Sequence, residues 1–123
     1  MRIKNIISIV DRFFRNKVIE LFQKIEGGCI HLVDSVGITS LGSCDAQLQC
    51  TLLVHDLSSY TQVALNGVTG SAEAYLKGLW SGDDLSKLIR IFVKNRLVLE
   101  QMESGLARFA QSSFRLWYKL RRN

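Results

Sequence analysis

Apolar residues recur at Ile6, Val10, Phe13, Phe14, Leu21, Phe22 and Ile25, mainly three or four apart, with Arg12, Arg15 and Lys24 among the charged positions. This spacing predicts an amphipathic helix over 1–26, ended by Gly27-Gly28. A connector rich in Gly, Ser and Thr follows to Ser43, and its apolar run Cys29 to Val33 reads as a short strand or helical turn. From Asp45 to about Gly78, a wheel at 100° per residue gathers Ala46, Cys50, Leu53, Leu57, Tyr60, Ala64 and Val68 on one side. The other side collects Thr51, His55, Ser58, Ser59, Gln62, Asn66, Thr69 and Glu73. That pattern predicts a second, longer helix with His55 at the centre of an uncharged polar stripe. Gly67 and Gly70 each weaken it by about 1 kcal/mol relative to Ala, which places any bend in its downstream half.

Trp80 to Asp84 predicts a turn, with Ser81 and Asp84 spaced as in a capping box. Beyond it, Leu85, Leu88, Phe92, Asn95, Leu99, Met102, Leu106, Phe109, Ser113, Leu116 and Leu120 alternate three and four apart, the seam of a coiled coil or bundle. Ile89, Ile91, Val93, Leu97 and Val98 add a second apolar strip. The expected fold is therefore all-α. An N-terminal amphipathic helix and connector (1–44) lead into a long antiparallel helical hairpin (45–123), which forms a four-helix bundle as a homodimer.

Composition supports helices over an all-β fold: the 123 residues contain no proline, the usual punctuation of loops and strand edges. The net charge of +5 hides an asymmetry. Residues 1–26 carry six Lys/Arg against three acids, 27–84 one against six, and 85–123 nine against two. Basic ends can meet phosphate, anionic lipid or the acidic middle of another copy, and a membrane-surface contact by residues 1–26 fits this pattern. Three cysteines, Cys29, Cys44 and Cys50, form no C-x-x-C pair and suit a reducing compartment. His31 beside Cys29 lacks the further ligands of a zinc site, so no metal is expected. Asp11, Arg12, Arg15 and Lys17 interrupt the N-terminal apolar run, so no membrane span is expected and the chain reads as cytoplasmic.

The segment with the most chemistry is Leu52-Leu53-Val54-His55-Asp56-Leu57-Ser58-Ser59, continuing to Gln62-Val63-Ala64-Leu65-Asn66-Gly67. It resembles the H-box of the dimerisation and histidine-phosphotransfer domain of sensor histidine kinases, and the related dimeric bacterial histidine phosphotransferases. The resemblance covers roughly 45–121. It implies that His55 accepts a phosphoryl group and passes it to a receiver-domain aspartate, that Asp56 assists, and that Ser59 tunes hydrolysis. The chemistry is coherent, because a neutral imidazole is a competent nucleophile near pH 7 and a carboxylate can fix its tautomer. Tyr60 stands where many members carry proline.

No phosphate-binding glycine loop accompanies the motif, so no cofactor and no autonomous kinase activity are expected. The implied partners are a second copy, a response-regulator receiver domain and a separate phosphodonor kinase. Two alternatives remain open at this point. One is a non-catalytic helical oligomerisation protein with an incidental His55. The other is a nucleic-acid or membrane-surface binder using Arg115, Trp117, Tyr118, Lys119, Arg121 and Arg122, although Leu116 and Leu120 assign part of that segment to a core and nucleic acid is not expected.

Overall fold

A computed structural model describes residues 3–101. The chain runs α1 (Ile3–Phe22), β1 (Cys29–Val33), β2 (Ile38–Gly42), β3 (Gln49–Val54), α2 (Ser58–Leu76), β4 (Trp80–Gly82) and α3 (Leu85–Lys94). The strands form one mixed sheet in the order β2-β1-β3-β4, with β1 and β3 parallel and the other two pairs antiparallel. The all-α hairpin and its dimeric four-helix bundle are thus corrected to an α/β domain.

The correction has a local cause. Over Gln49–Val54, Cys50, Leu52 and Val54 are buried while Thr51 is half-buried and Leu53 exposed. This is the period of two of a strand with one face on a core. Cys50 and Leu53 of the same segment also fit a helical wheel, and six residues are too few for periodicity alone to decide. Pairing decides it, since Ile30 and Leu32 of β1 lie in register with Cys50 and Leu52. The connector likewise holds a hairpin, β1 and β2, in place of a single short element.

One core joins the two layers. Ile30, Leu32, Leu41, Cys50, Leu52 and Val54 from the sheet meet Phe14, Val18 and Phe22 of α1, Tyr60 and Ala64 of α2, and Leu88 and Ile91 of α3. The expected N-terminal helix is present as α1, and Gly27 beyond it takes a left-handed φ of 67°. The expected bend in the second helix is also present: Gly67 has φ 57° and ψ −135°, a break inside α2. Asp84, not Ser81, caps α3, its side chain accepting from the Lys87 amide. Leu85, Leu88, Phe92 and Leu99 of the predicted seam pack on the domain's own core, so that face is not left for a partner helix.

Asn95 interrupts α3 and is buried at 7% exposure. Its side chain accepts from the Glu26 amide and donates to the Glu26 and Ile91 carbonyls, tying α3 to the end of α1. Helical backbone resumes over 96–101. The rest of the seam, from Met102 onward, and the basic-aromatic segment around Trp117 lie outside the described residues. No helix among the described residues is long and apolar enough to cross a membrane.

Candidate functional site

The three residues of the histidine motif are not brought together on a helix face. His55 follows β3 in the turn ahead of α2 and is exposed. Its Nε2 lies 2.9 Å from the Ser81 hydroxyl oxygen, and its backbone N–H donates to the Leu79 carbonyl. Asp56 is turned to the start of α2, where its carboxylate accepts from the Ser58 amide. Ser59 is buried and donates to the Leu79 carbonyl. His55 and Ser59 thus tie the β3–α2 segment to Leu79 and β4, while the Asp56 carboxylate closes the turn at the start of α2. The hairpin surface on which a receiver domain would dock is absent among the described residues.

A different feature sits between the layers. A cavity of about 170 Å³ is enclosed by Leu32 of β1, Leu52 and Val54 of β3, Trp80 of β4, Val18 and Phe22 of α1, Leu88 and Phe92 of α3, and α2. On α2 the wall changes character at the break. Tyr60 and Val63 precede it, whereas Gly67, Val68 and Ser71 line the cavity at and beyond it. Val68 is 70% exposed as well as lining the cavity, so the space reaches the surface beside the bend.

The wall's polar groups are directed elsewhere. Tyr60 donates its hydroxyl to the Asp34 carboxylate at 2.6 Å, Trp80 donates its indole N–H to the Ser71 carbonyl at 2.9 Å, and Ser59 is engaged as described. Among the described residues no buried side-chain nitrogen or oxygen lacks a partner. The interior therefore offers dispersion contacts and no free donor or acceptor from these groups. A surface-open space walled by hydrocarbon favours apolar guests, which take that wall out of water.

Charge near the cavity is confined behind its wall. Asp34 has a fully buried side chain, 2.7 Å from Arg15 Nε. Burial disfavours its charge, but hydrogen bonds from Arg15, Tyr60 and the Gly37 and Val36 amides outweigh that and hold its pKa below the ordinary value. Burial, with help from Asp34, pushes the Tyr60 phenol far above its usual range, so it stays a neutral donor. Asp11, hydrogen-bonded by Thr61 across the α1–α2 contact, is raised by burial and more weakly by Asp56. No group of three or more metal-ligating side chains occurs among the described residues.

The cavity residues come from all three helices and three of the four strands. The sequence could have pointed to part of it: Cys50, Leu52 and Val54 at period two, and a bend at Gly67. Comparison with family models, with curated proteins and with solved structures finds no match. The chain's own geometry carries the reading that follows.

Proposed function

We propose that this domain binds an apolar small molecule, a hydrocarbon chain or ring of the kind found in lipids, in the cavity between sheet and helices. The observation that carries the reading is a wall dominated by aliphatic and aromatic side chains, in which the polar groups of Ser59, Tyr60 and Trp80 are bonded to protein. The surface opening beside Val68 gives such a ligand a route in, with any polar end left in water. Tyr60, Ser59 and Ser71 are the hydroxyl-bearing side chains on the wall; those of Tyr60 and Ser59 are committed to hydrogen bonds, and Ser71 is half-buried beyond the bend. The site is thus built for holding a ligand, and the reading is of a binding protein.

Trp80 on the wall supplies the assay. The chain has two tryptophans, so a Trp117→Phe variant reports from Trp80 alone. Titration with benzene-sized aromatics and short-chain alkanols, which match a space of about 170 Å³, should give saturable changes in its emission. Val63→Trp, which places an indole in the space, should weaken binding at least tenfold while leaving the circular-dichroism spectrum intact. No saturable binding of any of these ligands to the folded wild-type chain would sink the reading.

A further inference from the structure

A second cluster lies at the other end of the sheet and plays no part in ligand binding. Cys29, the first residue of β1, is disulfide-bonded to Cys44 in the loop between β2 and β3. Cys29 is fully buried, whereas Cys44 is exposed. His31, two residues on and so on the same side of β1, holds its ring nitrogens 3.8 and 4.0 Å from Cys29 Sγ.

The imidazole is fixed in place by its neighbours. Gln49 donates its amide N–H groups to the Cys44 and Ala46 carbonyls at 2.8 and 2.9 Å, which turns its side-chain oxygen to His31 Nε2 at 2.9 Å. Nε2 therefore carries the proton in the neutral ring, and the Ser40 hydroxyl, 2.9 Å from Nδ1, donates to the other nitrogen. Both sulfurs, the imidazole and the loop that carries Cys44 thus form one connected group. A purely structural cross-link has no use for an imidazole against its buried sulfur.

The geometry points to Cys29–Cys44 as a thiol–disulfide exchange site that takes a small-molecule thiol at Cys44, with His31 assisting departure of Cys29. The thiolate's lone pair forms a new S–S bond to Cys44 Sγ, and the electrons of the old bond leave on Cys29 Sγ. His31 gives that sulfur its Nε2 proton as Nδ1 takes one up from water through the Ser40 hydroxyl. A second thiol attacks the mixed disulfide, departs as the small-molecule disulfide and leaves Cys44 as a thiol. In total two thiols are oxidised to one disulfide and the protein gains two electrons. Access sets the direction, because the attacked sulfur must be reachable and only Cys44 is. The bond can close again, since Ser43 N–H to Gly28 O and Cys29 N–H to Leu48 O, each 2.9 Å, hold both flanks without it.

The test uses the oxidised full-length chain, reduced glutathione, an acid quench and peptide mapping by mass spectrometry. The expected result is a 29–44 cross-link before treatment and, during it, a glutathione adduct on Cys44 exceeding that on Cys29 at least tenfold. The single variants hold a thiol in place of the bond and are treated with oxidised glutathione instead: Cys44 of Cys29→Ser should take the adduct with release of one glutathione thiol, and the buried Cys29 of Cys44→Ser should take none. His31→Gln should slow adduct formation by about a hundredfold, the lower end of general acid–base assistance, without changing which sulfur is attacked. A missing cross-link, or adducts shared equally between the two sulfurs or favouring Cys29, overturns the proposal in the wild-type chain, whatever the variants do. An unchanged rate in a folded His31→Gln chain overturns the part given to His31.

Discussion

Gly70→Ala is the sharpest test of the bend that shapes the cavity. In a continuous helix, residues eight apart are separated by about 12 Å along the axis. Yet a Cβ built on Gly70 falls on the carbonyl oxygen of Gln62 and comes within 2.9 Å of Asn66 Cβ. That approach exists only because the chain turns at Gly67, φ 57° and ψ −135°. Helix propensity alone predicts a gain of about 1 kcal/mol for Gly→Ala. Neither obstructing atom is the end of a flexible side chain, so the backbone must yield, and overpacking of this kind costs roughly 1–3 kcal/mol. The overlap wins, and we expect net destabilisation of about 1–2 kcal/mol in urea unfolding, with weaker hydrocarbon binding because Val68 and Ser71 move with the bend. Gly37→Ala is the control: nothing lies within 4 Å of its Cβ position, and its φ is not positive, so a gain of about 0.4–1 kcal/mol is expected. A Gly70→Ala protein as stable as wild type would show that α2 is straight and that the cavity wall is drawn wrongly.

Asp34→Asn should destabilise the fold by about 3 kcal/mol at pH 7, because it leaves the buried Arg15 guanidinium without its counter-charge. Because Asp34 has a folded pKa below its unfolded value, its stabilisation is complete above the unfolded value and is lost as pH falls through the folded one; the gap between wild type and variant should close below about pH 4. Asp11 has the opposite sign: its folded pKa is raised, so its charge opposes folding at neutral pH, and Asp11→Asn should be neutral or stabilising there by thermal unfolding. Opening Cys29–Cys44, which spans 15 residues, should lower stability by about 3 kcal/mol if the loop chiefly restricts the unfolded chain, read as a lower melting temperature in reductant. Cys50 is buried and its thiol is pushed up to about 11, first by burial and then by Asp83 and Asp84; it should resist alkylation at pH 8 until the chain unfolds.

Legibility of the fold followed the range of the interaction. The first helix, the bend at Gly67 and the weak strand signal at Cys29–Val33 are local and can be read from spacing and residue type. Gln49–Val54 cannot, because Cys50 and Leu53 fit a helical wheel while Cys50, Leu52 and Val54 fit an extended pattern, and the choice depends on β1 and β4 pairing to either side. The expected helical setting of the histidine motif fails for the same reason: once β3 ends at Val54, His55 and Asp56 belong to a turn, and the polar stripe around the imidazole is split between strand, turn and helix. The seam at Leu85, Leu88, Phe92 and Leu99 is a true apolar face, but a heptad pattern does not say whether a helix or a sheet will cover it. The Cys29–Cys44 pair depends on a 4.8 Å Cα separation created by the β1–β2 hairpin, which no spacing rule gives.

The cavity follows from how the sequence terminates the first half of α2. A straight helix could lay its apolar side along Leu52, Val54 and Trp80, but the left-handed turn at Gly67 lifts Val68 and Ser71 away and leaves a gap. At roughly 24 cal/mol per Å³ a closed void of about 170 Å³ costs on the order of 4 kcal/mol, and because this one opens beside Val68 that figure is its upper bound. A sequence under no other constraint would fill it, and replacing Val63 by a larger apolar residue is a single step. A ligand present at 100 times its dissociation constant would return about 2.7 kcal/mol, which offsets most of that cost. The bend, the apolar wall and the inward-facing tryptophan therefore make sense together when the domain is occupied, and the empty chain should unfold at a lower temperature than the loaded one.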